Sequence, residues 1–353
     1  MNRLEKLRAL IASQKVDGFL ITNPYNVRYM TGFTGSTGIA LVTKSEALFI
    51  TDFRYIEQAE REVTDFRAVQ HKATLVEEIA SYVRNLNIQT LGFEKEHITY
   101  AQFLLYEKFI TKNLVGLADV IEKIRLIKTP EEIRIIKVAC DIVDAAFEHI
   151  LPQIRPGVTE LEIANELEFF MRKSGATSSS FDTIVASGVR SALPHGVATD
   201  KIIEKGEFVT LDYGALYNGY VSDTTRTVAV GQPSQQLKEV YQIVLEAQLV
   251  GVKTFKPGMT GVEADAVVRD VIRSHGYGEA FGHSAGHGIG LEVHEGPGLS
   301  HRSNHRLEAG MTVTCEPGIY LPGIGGVRIE DDVLITADGN DVLTHAPKEL
   351  IIL

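Results

Sequence analysis

Four carboxylates and one imidazole carry the chemistry that this sequence can be expected to do. Asp212 follows the strand-forming run Phe208-Val209-Thr210-Leu211, and Asp223 precedes a second run, Thr224 to Val230. Asn218-Gly219 between them is a strong hairpin signal, because both residues tolerate positive φ. Folding about that turn predicts Asp212 and Asp223 opposite each other, to within a residue. Two carboxylates aimed at one spot repel, so one takes up a proton or a cation sits between them. The hairpin alone is equally compatible with two solvated residues near its tip. Downstream residues change the balance. His287 lies in the glycine-rich segment 286–295, Glu316 follows the strand-like run Met311-Thr312-Val313-Thr314, and Glu330 precedes Val333-Leu334-Ile335. The set Asp212, Asp223, His287, Glu316 and Glu330 is too anionic for one divalent ion and suits two. A pair of cations about 3.5–4 Å apart is a hydrolytic device.

The elements that must hold these residues repeat. Arg155-Pro156-Gly157-Val158-Thr159-Glu160-Leu161-Glu162 resembles Lys256-Pro257-Gly258-Met259-Thr260-Gly261-Val262-Glu263 in a register of 101 residues. Both are Pro-Gly turns that lead into Thr-x-x-Glu capping boxes and helices ending at Gly175 and Gly276. Upstream, Ala139, Ile142 and Val143 match Val240, Ile243 and Val244. Downstream, Gly206, Thr210, Asp212 and Gly214 match Gly310, Thr314, Glu316 and Gly318. Two half-domains, each of two helices and an antiparallel sheet, are therefore expected to face each other. Asp212 and Glu316 become equivalent, with Asp223 and Glu330 on the returning strands.

A boundary falls near 125–129, where Thr129-Pro130-Glu131-Glu132 starts a long helix to about Ile150. We expect two domains, 1–125 and 126–353. The first reads as a small α/β domain. Helices are expected over 1–15, 52–62, 74–86 and 100–112, and strands over 18–22, 38–42, 47–50 and 90–93. Thr31 to Gly35 reads as a plain turn, and the first domain holds no metal-ligand cluster. The 353 residues are 44% hydrophobic and 23% charged, an ordinary globular composition. The net charge of −11 argues against a nucleic-acid partner. No apolar run approaches the roughly 18 residues of a membrane span. The N-terminus lacks the apolar core of a signal peptide. Two cysteines, Cys140 and Cys315, form no disulfide framework and fit a reducing cytoplasm.

In this order and context the five residues resemble the ligands of the pita-bread dinuclear metallopeptidases, which include methionine aminopeptidase, aminopeptidase P and prolidase. The match spans about Pro194 to Asp332, and the preceding domain resembles that of the creatinase, prolidase and aminopeptidase P branch. The resemblance implies an α+β chain: a C-terminal pita-bread domain with pseudo-two-fold duplicated halves, preceded by a smaller creatinase-like α/β domain. It implies that Asp223 and Glu330 bridge two metals, Asp212 completes one site, and His287 with Glu316 completes the other. A hydroxide bridging the metals would attack, with Glu316 shuttling its proton. His195, His283, His294 and Arg328 match residues that line the substrate site of the Xaa-Pro branch. His294 would donate to the scissile carbonyl or the oxyanion, His195 would sit near the leaving proline, Arg328 would orient carboxylates, and His283 would close a wall.

The implied activity is hydrolysis of the bond before proline, as in an Xaa-Pro dipeptidase. Aminopeptidase P, acting on longer peptides with proline second, is the alternative. An inactive peptide-binding pita-bread module is a distant third, since such modules lose ligands. The N-terminal domain disfavours methionine aminopeptidase, and the intact ligand set disfavours creatinase chemistry. The glycines between 282 and 290 lack the Gly-Lys-Ser/Thr of a phosphate loop. The oxygen-rich site suits Mn²⁺, with Co²⁺ or Zn²⁺ as alternatives. A homodimer is expected by resemblance, and His71, His97, His149, His275, His301, His305 and His345 read as surface residues.

Overall fold

The computed structural model describes residues 2–353, which divide into two compact units, 2–125 and 126–353. The first unit runs α1 (Arg3–Ser13), β1 (Gly18–Ile21), α2 (Pro24–Thr31), β2 (Ile39–Thr43), β3 (Ala47–Thr51), α3 (Ile56–Glu62), β4 (Arg67–Gln70), α4 (Leu75–Asn85), β5 (Leu91–Glu94), α5 (Tyr100–Phe109), β6 (Leu114–Leu117) and α6 (Glu122–Arg125). Its six-stranded sheet has the order β4-β3-β2-β1-β5-β6. The centre of that sheet is buried and apolar, with Leu20, Leu41, Leu48 and Ile50 packed on Ile79 and Val83 of α4. The helix expected from residue 1 starts at Arg3, capped by Asn2; Met1 lies outside the described residues. Asn23-Pro24 starts α2, a helix absent from the expected set. Asn23 caps α2 by accepting the Tyr25 N–H, and Pro24 sits in the first turn, where its missing N–H costs nothing. The edge strands β4 and β6 are additions to the expected set.

The second unit opens with α7 (Pro130–Ile150) and α8 (Glu160–Lys173), followed by β7 (Ser178–Ser179), β8 (Ile184–Ser187), β9 (Phe208–Tyr213), β10 (Ala215–Tyr217), β11 (Tyr220–Val221) and β12 (Thr224–Ala229). It continues with α9 (Gln235–Thr254), α10 (Gly261–Ser274), β13 (Gly286–Gly288), β14 (Glu295–Leu299), β15 (Thr312–Cys315), β16 (Gly318–Leu321), β17 (Gly325–Arg328), β18 (Asp331–Ile335) and β19 (Asn340–Val342). The duplication is structural. Thr159 and Thr260, at equivalent helix starts, both close reciprocal capping boxes, each worth about 1 kcal/mol. Gly206 and Gly310 enter their strands at φ +92 and +93, a conformation that disfavours any side chain. Ala139, Ile142 and Val143 sit in one core with α8 and β9, and Val240, Ile243 and Val244 sit in a second core with α10 and β15. The two half-sheets, β12-β9-β8 and β14-β13-β15-β18-β19, meet at the antiparallel bridge between Thr225 and Glu330. Among the described residues no helix is long and apolar enough to cross a membrane.

Candidate metal centre

The Asn218-Gly219 turn forms as expected, with φ of 47 and 85, between β10 and β11. The register differs from the expectation. Asp212 pairs with Thr225, and the same register sets Asp223 two residues from that partner rather than within one. Because side chains alternate along a strand, an offset of two keeps both carboxylates on one face. Asp223 stands just before β12, and its N–H donates to Asp332 Oδ2 at 2.9 Å. From the second half, Glu316 leaves β15 with its N–H on the Ala285 carbonyl at 2.9 Å. Glu330 lies between β17 and β18, and its Oε2 accepts the Thr225 hydroxyl at 2.6 Å.

His287 sits on β13. Its Nδ1 lies 3.1 Å from the Gly288 carbonyl, which can only accept, so Nδ1 carries the proton. That leaves the Nε2 lone pair free, 3.6 Å from both Asp223 Oδ2 and Glu316 Oε1. Burial, then the neighbouring His294, lowers the His287 pKa to about 4, so the ring is neutral and ready to donate its lone pair. Donor atoms of Asp223, His287 and Glu330 all lie within 4.8 Å of one another.

The carboxylates are crowded. Burial first, then Glu330, raises both Asp223 and Glu316 well above the usual carboxylate range. Burial and Asp212 push Glu330 up to about 8. Burial raises Asp212 despite Arg328 Nη2 at 2.5 Å from its Oδ2. Asp212 Oδ1 is buried and has no hydrogen-bond partner among the described residues. Three buried carboxyls and the half-buried Glu316, all driven toward their protonated forms, one orphaned oxygen and one bare imidazole lone pair fit divalent cations, which displace such protons on binding.

All the residues singled out in the sequence line one cavity of about 510 Å³: the five donors together with His195, His283, His294 and Arg328. Phe181, Ile184, Pro194, Val197 and Val293 give it apolar walls. A larger surface groove of about 750 Å³ beside α10 gathers none of these residues. His195 and His294 are exposed, and the His294 ring lies 4.3 Å from that of His287. His283 is engaged at both nitrogens, with Nδ1 on the Ser284 carbonyl and Nε2 on the Tyr320 hydroxyl, each at 2.8 Å. Of the histidines read as surface residues, His149 is half-buried, bonded to Glu166 at 2.7 Å and stacked on Phe170.

Three participants carry no local sequence signal. Tyr320 links Arg328 Nη1 to His283, each bond 2.8 Å long. Thr225 receives Arg328 Nε at 3.1 Å and donates to Glu330. Asp332 holds the Asp223 backbone. The pairing of the β12 segment with the second half brings Thr225 and Asp332 into place, and the β16–β17 hairpin brings Tyr320.

The model of metallopeptidase family M24 matches residues 134–337, and that of the creatinase/prolidase N-terminal domain matches residues 3–127. The chain is 59% identical to a solved structure described as an Xaa-Pro dipeptidase from Bacillus anthracis, with a TM-score of 0.98 over 99% of both chains. A curated relative, the Xaa-Pro dipeptidase of Pyrococcus furiosus, is 44% identical over 99% of each chain. A solved X-Pro aminopeptidase from Thermotoga maritima is 43% identical, with a TM-score of 0.91 and full coverage of both chains. With a pita-bread second unit and relatives matched over nearly its whole length, this chain belongs to metallopeptidase family M24.

Proposed function

We propose that this peptidase hydrolyses the bond preceding proline in Xaa-Pro dipeptides, acting as a homodimer in the cytoplasm with two Mn²⁺ ions per chain. The observation that carries the reading is the single cavity, in which the carboxylate–imidazole cluster faces His195, His294 and apolar walls. Similarity over 99% of the length to a chain described as an Xaa-Pro dipeptidase supports the substrate class. In this reading Asp223 and Glu330 would be shared ligands, Asp212 would complete one site, and His287 with Glu316 would complete the other. The carboxylate-rich donor set favours Mn²⁺ over softer ions. Two divalent cations held there would polarise the scissile carbonyl and lower the pKa of a bound water.

The remaining steps fall to the protein. Glu316 accepts the proton of the attacking water at a carboxylate oxygen and passes it toward the departing proline nitrogen. His294 donates a hydrogen bond to the carbonyl oxygen as negative charge gathers there. His195, on the exposed side of the cavity, faces the carboxylate of the leaving proline. Arg328, tied to Asp212, Thr225 and Tyr320, fixes Asp212 against rotation. His283 closes one wall.

The similarity to an X-Pro aminopeptidase over the full chain favours a second reading, removal of one residue from longer peptides with proline second. Mn²⁺-dependent hydrolysis of Ala-Pro, Ala-Pro-Ala and Met-Ala-Ala, each with and without chelator, separates the two. Ala-Pro cleaved alone is the expected result. Cleavage of Ala-Pro-Ala makes the chain an aminopeptidase, and cleavage of Met-Ala-Ala alone removes proline from the recognition.

A further inference from the structure

The two halves of the second unit meet along three facing pairs: Thr227 with Arg328, Thr225 with Glu330, and Asp223 with Asp332. The middle rung is backbone, with the Glu330 N–H on the Thr225 carbonyl at 3.0 Å. Side chains make the outer rungs. Thr227 Oγ1 accepts the Arg328 N–H at 3.3 Å and donates to the Arg328 carbonyl at 3.0 Å. At the other end the Asp223 N–H donates to Asp332 Oδ2 at 2.9 Å. A regular antiparallel ladder would present the Asp332 carbonyl there. That carbonyl is instead taken by the Leu343 N–H at 2.8 Å, on the side of β19. The carboxylate therefore reaches across the gap that the backbone leaves.

Asp332 is fully buried. Its Oδ2 also accepts Cys140 Sγ at 3.4 Å, and its Oδ1 has no partner among the described residues. A buried carboxylate so sparsely bonded is costly. An apolar side chain would fill the space without that cost, but it would leave the Asp223 N–H unmet and the end of the seam open. Asp223 and Glu330 come from opposite sides of that seam, two residues apart along it. Whatever fixes the last rung fixes their separation.

We propose that Asp332 is a positioning residue for the metal centre: by clamping the Asp223 backbone to the second half it sets the gap between Asp223 and Glu330, and with it the affinity for divalent cations. The inference rests on the assignment of those two residues as shared ligands. Mn²⁺ titration of chelator-stripped protein by isothermal calorimetry tests it on wild type, Asp332→Asn and Asp332→Leu. Asn keeps the acceptor, and Leu keeps the volume without it. Asp332→Leu is expected to bind Mn²⁺ about 10–100-fold more weakly, with turnover restored at saturating Mn²⁺ because no ligand atom is lost. Asp332→Asn is expected to bind close to wild type. Wild-type affinity in Asp332→Leu overturns the proposal, and so does an Asp332→Asn as weak as the Leu variant, which would assign the effect to charge. An Asp332→Leu that fails to fold beside a normal Asp332→Asn makes the residue part of the scaffold alone, which also overturns it. A wild type that binds no Mn²⁺ removes the ligand assignment together with this role.

Discussion

The two halves of the second unit share a scaffold and differ in what they offer a cation. On the first, Ala186 of β8 faces Thr210; on the second, the position of β13 facing Thr314 is His287. The first half thus supplies only carboxylates on short Asp stems, and the second supplies longer Glu stems and a neutral imidazole. Their neighbours differ as well. β8 lies at the edge of its sheet, whereas β13 is enclosed between β14 and β15. That enclosure needs glycine: a Cβ on Gly286 would lie 2.1 Å from the Thr314 carbonyl oxygen, and one on Gly288 would lie 2.0 Å from that of Gly296. The glycine-rich segment is therefore a packing requirement of the half that carries the imidazole. Duplication provided the frame, and substitution at equivalent positions provided unequal donors within it.

Four measurements bear on that contrast. Asp223→Ala and Glu330→Ala, one from each half, are expected to abolish Mn²⁺ binding and hydrolysis alike. Full turnover in either variant would break the pairing of the two as shared ligands. His294→Ala is expected to keep both metals and lower kcat by about 10²–10³-fold, the scale of losing one oxyanion donor. An unchanged rate would take the carbonyl-facing donor away from the second half.

Next in size is a pH effect at the seam. The folded state raises the pKa of Asp223, Glu316 and Glu330, the last to about 8, through burial and mutual repulsion. Folded protein then holds protons that the unfolded chain has released. Stability of the metal-free protein must fall as pH rises from the usual carboxylate range through about 8. Melting curves in chelator from pH 5 to 8.5 should show that decline, and excess Mn²⁺ should flatten it. A level curve in chelator would mean that the carboxyls do not repel as described. The smallest effect concerns the frame. Thr159→Ala and Thr260→Ala each remove a cap worth about 1 kcal/mol and should lower the melting temperature equally, with kcat untouched. Unequal losses would show that the two helix starts are alike only in form.

Much of this frame was legible in the sequence because it is written in local chemistry. The capping boxes at Thr129, Thr159 and Thr260 read within four residues, and the Asn218-Gly219 turn within two. The candidate donor set stood out because five residues of ligand type recur beside glycines and strand formers. What depends on long-range pairing did not read. The seam joins residues about a hundred positions apart, so neither Thr225 and Asp332 nor the two-residue offset between Asp212 and Asp223 left a local mark, and Tyr320 meets Arg328 only through the pairing of β16 with β17. In the first unit α2 was missed because Asn23-Pro24 serves equally to stop a strand and to start a helix. β4 and β6 are short, only partly buried edge strands with little periodicity to detect.

The run Glu330-Asp331-Asp332 has a consequence for mutational tolerance. Glu330 faces the donors, Asp332 holds Asp223, and Asp331 between them takes Arg226 at 2.8 Å together with Lys348 and Gln248. A survival screen would score three adjacent acidic positions as equally intolerant and merge them into one hot spot. They would fail for separate reasons: lost cation binding, a loosened core and a widened seam. Engineering that trims the negative charge of this chain should begin anywhere else.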